Sequence, residues 1–222
     1  MNKVPENPSK NRIGDFSPLT VVSSLIVTMY LIANLMAVKI ISIGPFTLFD
    51  AGTITFPIAY MLSDVLAEIW GYKTARKVIF LTFACNALLV IFTSIGTILP
   101  YPDYMEGIQQ AYSTIYTYVP RIVGASLISF LAGDLINAKI LVAMRDRSAD
   151  GKMLWLRTIG SSVAGYLIDS VLFVLIAFTG TSPASDLLSM ILAQYIAKIA
   201  LEALFGTPLA YAAIRYIRRR WG

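Results

Sequence analysis

The sequence has little of what most enzymes and metal sites are built from. Its 222 residues include no histidine and one cysteine, Cys85, which lies inside an apolar run. Catalysis by a serine–histidine or cysteine–histidine pair, zinc bound through histidine and a disulfide framework are therefore excluded. No Gly-rich Lys-Ser/Thr phosphate loop occurs either, which excludes nucleotide hydrolysis by that motif. We predict neither a cofactor nor a metal site.

Charged residues are also scarce, whereas apolar residues are abundant. Charged residues make up 14% of the chain, against roughly 25% in an ordinary soluble domain, and 57% of the chain is hydrophobic. A bilayer core about 30 Å thick needs roughly 20 apolar residues per helix. Six runs come near that length, at 18–38, 53–70, 78–99, 121–143, 158–180 and 187–214. The sequence therefore predicts an all-α integral membrane protein with six transmembrane helices, in a single domain over residues 18–216.

Lysine and arginine indicate which connections face the cytoplasm, because short cytoplasmic loops are enriched in both. They occur in the tail 1–17, in every second connection, and at the C-terminus, in Arg215 and the basic segment 217–222. They are Lys3, Lys10, Arg12, Lys73, Arg76, Lys77, Lys139, Arg145, Arg147, Lys152, Arg157, Arg215, Arg218, Arg219 and Arg220. We predict that both termini are cytoplasmic. Since these residues are spread between apolar runs and not along one face, the net charge of +5 does not indicate a nucleic-acid partner.

Two of the outer connections carry structural signals. Residues 43–52 are apolar but contain Gly44, Pro45 and Gly52, which predicts a short hairpin or a re-entrant segment after the first helix. Asp50 in this connection counts among the acidic residues of the outer side. Residues 100–120 are polar and rich in tyrosine, which predicts a helix lying at the outer interface.

Ionisable side chains inside the predicted spans are the main indication of function. Each costs at least about 2.5 kcal/mol near the middle of a bilayer, so those present are expected to face the bundle interior or a water-filled cavity. They are Asp64, Glu68, Asp134, Asp169, Lys198 and Glu202. This number of buried charges predicts a small-molecule transporter.

A four-residue spacing puts two pairs of these charges each on a single helix face. Asp64 and Glu68 would present two like charges, which require a cation, a proton or a basic partner. Lys198 and Glu202 could neutralise each other, or Lys198 could project into a cavity towards Asp64 or a substrate carbonyl. Asp169 lies near the middle of the fifth span, where a purely structural role is hardest to justify.

Other polar residues have structural interpretations beside functional ones. Asn34 could bind the substrate or hold two helices together by a hydrogen bond. Asp134 is expected to pair with a nearby base such as Arg157 and to be mainly structural. We assign Arg121, Arg157 and Glu202, with Asp134, to structural or gating charges.

Several motifs together resemble one family. They are Phe56-Pro-Ile-Ala-Tyr-Met-Leu-Ser-Asp64-Val-Leu-Ala-Glu68-Ile-Trp-Gly71-Tyr72, Arg121 with Ala125-Ser126-Leu127, Leu154-Trp-Leu-Arg157-Thr, the stretch from Ser161 to Asp169, and Ile176-Ala-Phe178. Residues 24–216 are similar to the queuosine precursor transporters, also called the vitamin uptake transporter family. The resemblance implies uptake across a bacterial inner membrane of a 7-deazaguanine, such as the 7-cyano or 7-aminomethyl precursor of the modified base queuosine.

The substrate class that the resemblance implies suggests a hydrogen-bonding role for each polar residue. Asp169 or Glu68 would accept ring N–H groups, and Lys198, Gln194 or Asn34 would donate to the ring carbonyl. Aromatic side chains could stack on the ring; the candidates are Phe56, Trp70, Phe173 and Phe178. The expected substrate site contains Asn34, Asp64, Glu68, Asp169, Gln194, Lys198, Phe56 and Phe178.

Several alternatives remain open from the sequence. Transport could be coupled to protons through the buried carboxylates, or it could be facilitated diffusion followed by metabolic trapping. The chain could instead be the substrate-binding membrane subunit of an importer driven by separate ATPases. An intramembrane enzyme would need an aspartyl pair such as Asp64 with Asp169. A stripe of small residues on the fourth span is either a homodimer face or an internal contact, and consists of Gly124, Ala125, Ser129 and Gly133.

Overall fold

The computed structural model describes residues 17–147 and 154–221, and these are mostly helical. The helices are α1 (Pro18–Met36), α2 (Phe56–Trp70), α3 (Tyr72–Ile98), α4 (Glu106–Arg147), α5 (Leu154–Phe178), α6 (Ala184–Leu201) and α7 (Thr207–Trp221). Strands β1 (Ile40–Ile43) and β2 (Phe46–Asp50) follow α1, 3₁₀ turns cover Ala51–Ile54 and Asp103–Met105, and a π-helical turn covers Glu202–Gly206. Residues 1–16 of the predicted cytoplasmic tail lie outside the described residues.

Four segments of the described chain are long and apolar enough to cross a membrane. They are Pro18–Met36, Lys73–Ile98, Asp103–Gly133 and Ala184–Phe205, and Val163–Phe178 is a shorter apolar helix. The outward face of α3 is apolar, since the side chains of Phe80, Leu88, Phe92 and Ile98 are exposed. A row of large apolar side chains on the outside of a helix is typical of contact with lipid. The protein is therefore a multi-pass membrane protein.

Helix α4 is longer than the predicted fourth span. Its 42 residues would extend about 63 Å, roughly twice the thickness of a bilayer core. The predicted interfacial helix is helical but not separate, because α4 continues through Pro120. Contacts with the end of α3 order this added part: Gln109 donates a hydrogen bond to the carbonyl of Thr97 at 3.1 Å, and the ring of Tyr112 lies directly against Gly96.

The predicted sixth span is interrupted. Helix α6 ends at Leu201, a π-helical turn follows, and α7 begins at Thr207. Pro208 explains the break, because a proline has no backbone N–H and its ring clashes with the preceding turn, whereas it is tolerated in the first turn of a new helix. The apolar run alone does not show this interruption.

The connection after α1 is a β-hairpin, one of the two structures predicted for it. Strands β1 and β2 pair antiparallel, with a register shift in the middle. The two-residue turn is Gly44-Pro45, and Gly44 has a φ of 57°, which glycine adopts without a steric cost. Glycine at the first position of a two-residue turn is typical of the type II′ hairpin.

Side chains attach the hairpin to α6. Thr47 Oγ1 donates to Asp186 Oδ2 at 2.8 Å, and Ser189 Oγ donates to the carbonyl of Thr47 at 2.7 Å. The described residues also form two apolar clusters. One joins α1, α2 and the start of α3, and the other joins α4, α5 and α6. The hairpin therefore sits against a helix whose inner face is buried.

We predict that Gly52→Ala destabilises the hairpin region. A Cβ at this position would overlap the carbonyl oxygen of Ala33 on α1 and lie 2.9 Å from Asp50 Oδ1. Overpacking of this kind costs about 1–3 kcal/mol, so the thermal midpoint of the purified protein should fall. Gly107→Ala is the matched control, because an added Cβ there meets nothing within 4 Å. An equal midpoint for both variants would contradict the close contact between Gly52 and α1.

Candidate functional site

Polar side chains are buried on most of the described helices and at the end of the hairpin. An apolar surrounding makes such groups costly unless they are paired, so their partners indicate what each one does. The buried polar and charged residues are Asn34, Asp50, Thr53, Thr82, Asn86, Ser126, Ser129, Asp169, Ser170, Gln194 and Lys198.

An ion pair joins α5 to α6 inside the protein. Lys198 Nζ lies 2.6 Å from Asp169 Oδ2, and the two side chains are 1% and 8% exposed. Water is therefore almost excluded, and each charge depends on its partners inside the protein for stabilisation. The sequence singled out both residues but suggested Glu202 or Asp64 as the partner of Lys198. Spacing within one helix can be read from a sequence, whereas the contact between α5 and α6 cannot.

Helix α4 approaches α5 closely beside this ion pair. A Cβ added at Gly133 would lie 2.9 Å from the carbonyl oxygen of Gly165 and 3.0 Å from Asp169 Cβ. Ser129 and Ala125, one and two turns earlier, are also buried. The small residues at these three positions thus form an internal helix contact that allows α4 to pack against Asp169.

A second group of polar side chains connects the hairpin to α6. Gln194 Nε2 donates to Asp50 Oδ2 at 2.8 Å and lies 3.2 Å from Thr53 Oγ1. Thr53 Oγ1 in turn donates to Asp50 Oδ2 at 3.1 Å. Gln194 lies one turn before Lys198, so α6 presents the two residues on one face. We call these five residues, Asp50, Thr53, Asp169, Gln194 and Lys198, the polar cluster.

Sequence reasoning missed Asp50 and Thr53 as members of the cluster. Asp50 was placed with the acidic residues of the outer side, but the structure buries it completely. The signal was present in the apolar neighbours of Asp50 and in the prediction of a re-entrant segment, because such a segment carries its polar groups inward.

The polar cluster has hydrogen-bonding capacity that it does not use internally. Asp50 Oδ1, Gln194 Oε1 and the nearby Ser170 Oγ are buried without a hydrogen-bond partner among the described residues. A buried polar atom in this state costs about 1–3 kcal/mol. A polar ligand that forms hydrogen bonds with these atoms would remove that cost.

Other predicted residues have structural contacts. Asn34 Nδ2 on α1 donates to Asn86 Oδ1 on α3 at 2.6 Å, which is the helix-to-helix hydrogen bond considered for it. Arg121 Nε donates to the carbonyl of Ile176 at 2.6 Å and Nη2 to that of Thr179, so it caps the end of α5.

Glu202 and Phe178 also contact side chains of α5. Glu202 is half-buried and accepts a hydrogen bond from Tyr166 on α5. Phe178 is buried, and its ring meets the edge of Phe173 with centroids 5.9 Å apart. Its ring is thus part of the apolar cluster of α4, α5 and α6.

Five predicted side chains lie outside what the structure describes, although their backbones belong to α2, α4 and α5. Asp64 and Glu68 remain one turn apart on α2, which packs against α1, α3 and α7. The other three are Phe56, Asp134 and Arg157.

Comparison with known proteins adds independent information. A family model for vitamin uptake transporters matches residues 50–213. A protein of Bacillus subtilis (strain 168), named "Probable queuosine precursor transporter", is 31% identical over 185 residues, which cover 83% of this chain and 80% of the relative. No solved structure matches the chain.

Two further relatives carry the same description. The "Queuosine precursor transporter" of Escherichia coli (strain K12) is 23% identical over 172 residues, covering 76% of this chain and 74% of the relative. A "Probable queuosine precursor transporter" of Haemophilus influenzae is 28% identical over 127 residues, covering 57% and 51%. The extent of the family match and the similarity to the Bacillus protein show that this chain belongs to the vitamin uptake transporter family.

Proposed function

We propose that the protein imports a queuosine precursor, 7-cyano-7-deazaguanine or 7-aminomethyl-7-deazaguanine, across the bacterial inner membrane. The observation that carries this proposal is the 31% identity, over 80% of its length, to a relative named for transport of a queuosine precursor. The family consists of transporters, so the chain is not an enzyme. The polar cluster supports the proposal because it offers buried donors and acceptors to a small polar molecule.

The ion pair between Lys198 and Asp169 is the proposed centre of substrate binding. A guanine-like edge presents N–H donors beside a carbonyl acceptor, and this pair presents the complementary carboxylate and ammonium. A substrate inserted between them would accept from Lys198 and donate to Asp169, so both charges would keep a hydrogen-bonded partner during transport. Asp64 and Glu68, on one face of α2, are proposed to complete the acidic side of the site.

We further propose six transmembrane helices with both termini in the cytoplasm. Four segments of the described chain satisfy the length and hydropathy that a span requires, and the shorter α2 and the apolar part of α5 would supply the other two. The basic residues support this orientation, since Lys73, Arg76 and Arg219 are exposed at ends that would face the cytoplasm.

We predict that Asp169→Asn reduces uptake of radiolabelled 7-cyano-7-deazaguanine by at least about tenfold, because a charge-assisted hydrogen bond to the substrate is lost. The measurement uses the purified protein in liposomes. Asp103→Asn is the control, since Asp103 is exposed on the connection between α3 and α4. Saturable uptake that is equal in Asp169→Asn and the unmodified protein would remove Asp169 from the site.

Loss of uptake in Asp169→Asn could also come from instability, since removing one partner of a buried ion pair costs about 3–5 kcal/mol. The double variant Asp169→Asn with Lys198→Gln removes both charges and should recover much of the thermal midpoint. Uptake by the double variant should remain low. Recovery of uptake together with stability would mean that the pair only holds α5 and α6 together.

The orientation predicts which positions react with a membrane-impermeant thiol reagent in intact cells. In a Cys85→Ala background, Ser185→Cys and Asp103→Cys should be labelled from outside. Lys73→Cys and Arg219→Cys should be labelled only after the membrane is opened. Labelling of Lys73→Cys in intact cells would refute the orientation.

A further inference from the structure

The amide of Gln194 is held in one orientation by its neighbours. Its nitrogen lies 2.8 Å from Asp50 Oδ2 and 3.2 Å from Thr53 Oγ1. Asp50 Oδ2 also accepts a hydrogen bond from Thr53 Oγ1, so this oxygen is the acceptor for the Gln194 nitrogen as well. The hydrogen bond to Asp50 therefore determines which end of the Gln194 amide remains available to a ligand.

The available end is the oxygen. Gln194 Oε1 is buried and has no hydrogen-bond partner among the residues that the structure describes. The other unpaired oxygen of this contact, Asp50 Oδ1, lies against Gly52, since a Cβ added there would be 2.9 Å away. Asp50 Oδ1 thus lies beside the Gly52 backbone, and Gln194 Oε1 is the unpaired acceptor that belongs to α6.

We propose that Gln194 Oε1 accepts a hydrogen bond from the 2-amino group of a guanine-like substrate, and that Asp50 is the positioning residue that presents this oxygen. The inference rests on the proposed function and adds to it the atom that selects for the amino group. It reverses the role expected from the sequence, in which the Gln194 amide donates to the ring carbonyl. The amide nitrogen instead donates hydrogen bonds to Asp50 and Thr53.

The position of Gln194 on α6 fits this role. Lys198 follows one turn later on the same face, and its ammonium binds Asp169 on α5. A planar ring lying along this face would meet the acceptor of Gln194 and the donor of Lys198 in sequence, as a guanine edge requires. The oxygen is sealed in the arrangement described, since Gln194 is 0% exposed, so a substrate reaches it only in a more open arrangement.

A neutral N–H donor suits this oxygen better than a metal cation does. Hard cations take several oxygen ligands, with carboxylates prominent among them. Here one carboxylate oxygen of Asp50 already accepts from Gln194 and Thr53, and the other lies against Gly52. Among the residues that the structure describes, no group of three or more acidic or cysteine side chains could hold a metal ion, whereas the one amide oxygen of Gln194 matches one N–H group.

The test is a ratio of affinities. Unlabelled 7-cyano-7-deazaguanine and its analogue without the 2-amino group compete with the radiolabelled amino compound on the purified full-length protein. The unmodified protein should prefer the amino compound by at least about tenfold, because the analogue leaves Gln194 Oε1 unpaired. In Gln194→Met and in Asp50→Leu, which removes both acceptor oxygens at similar size, the ratio should fall towards one. The ratio of the two affinities does not depend on how much of a sample is folded. Two variants are used, so the ratio can still be measured if one of them does not fold.

Asp186→Leu is the matched control. Asp186 is also an acidic residue in the contact between the hairpin and α6, and its two oxygens already accept from Thr47 and Ser185. It should keep the preference of the unmodified protein. A purely structural role for Asp50 would lower the thermal midpoint and leave the ratio unchanged, which would overturn the inference.

Other outcomes separate this inference from the proposed function. If the unmodified protein binds both compounds equally well, the function stands and the inference is refuted. If it binds neither compound nor the 7-aminomethyl precursor, the proposed function fails and the inference fails with it. If sodium raises the thermal midpoint and Gln194→Met abolishes that rise, the oxygen binds a cation and the inference is also refuted.

Discussion

The ion pair between Lys198 and Asp169 is the contact on which the interior of this protein depends. Both charges are nearly sealed from water, at 1% and 8% exposure, so neither is stable there without compensating partners. The requirement places α5 against α6. Helix α4 also lies close to Asp169, which Gly133 permits because it has no side chain. Three helices are therefore arranged around one electrostatic constraint.

The hairpin extends the same arrangement along this face of α6. Asp50 is brought inward by β2 and bound by Gln194, one turn from Lys198. A carboxylate, an amide, a hydroxyl and an ion pair then form one polar cluster inside an otherwise apolar bundle. Such a cluster specifies how the elements fit together, but its unpaired oxygens leave it incompletely satisfied. That combination is expected in a transporter, whose site must release a substrate as well as bind it.

Polar residues elsewhere in the bundle serve the framework. Asn34 and Asn86 join α1 to α3, and Arg121 caps the end of α5. The two kinds of residue differ in how completely their neighbours satisfy them. Arg121 satisfies carbonyls at a helix end that have no helical partner, whereas Gln194 keeps an oxygen that nothing described occupies.

The sequence by itself determined the apolar helical character of the chain, the hairpin alternative at Gly44-Pro45, and the choice of Asp169, Lys198 and Gln194 as unusual residues. These follow from local properties, namely run length, turn residues and charge within an apolar segment. Only the tertiary structure decided that Lys198 binds Asp169 and that Asp50 is buried. The break before Pro208 has a local cause, the proline itself, which run length alone overlooks. Pairings between distant segments depend on how helices pack, and spacing along one chain carries no information about which face of another helix lies opposite.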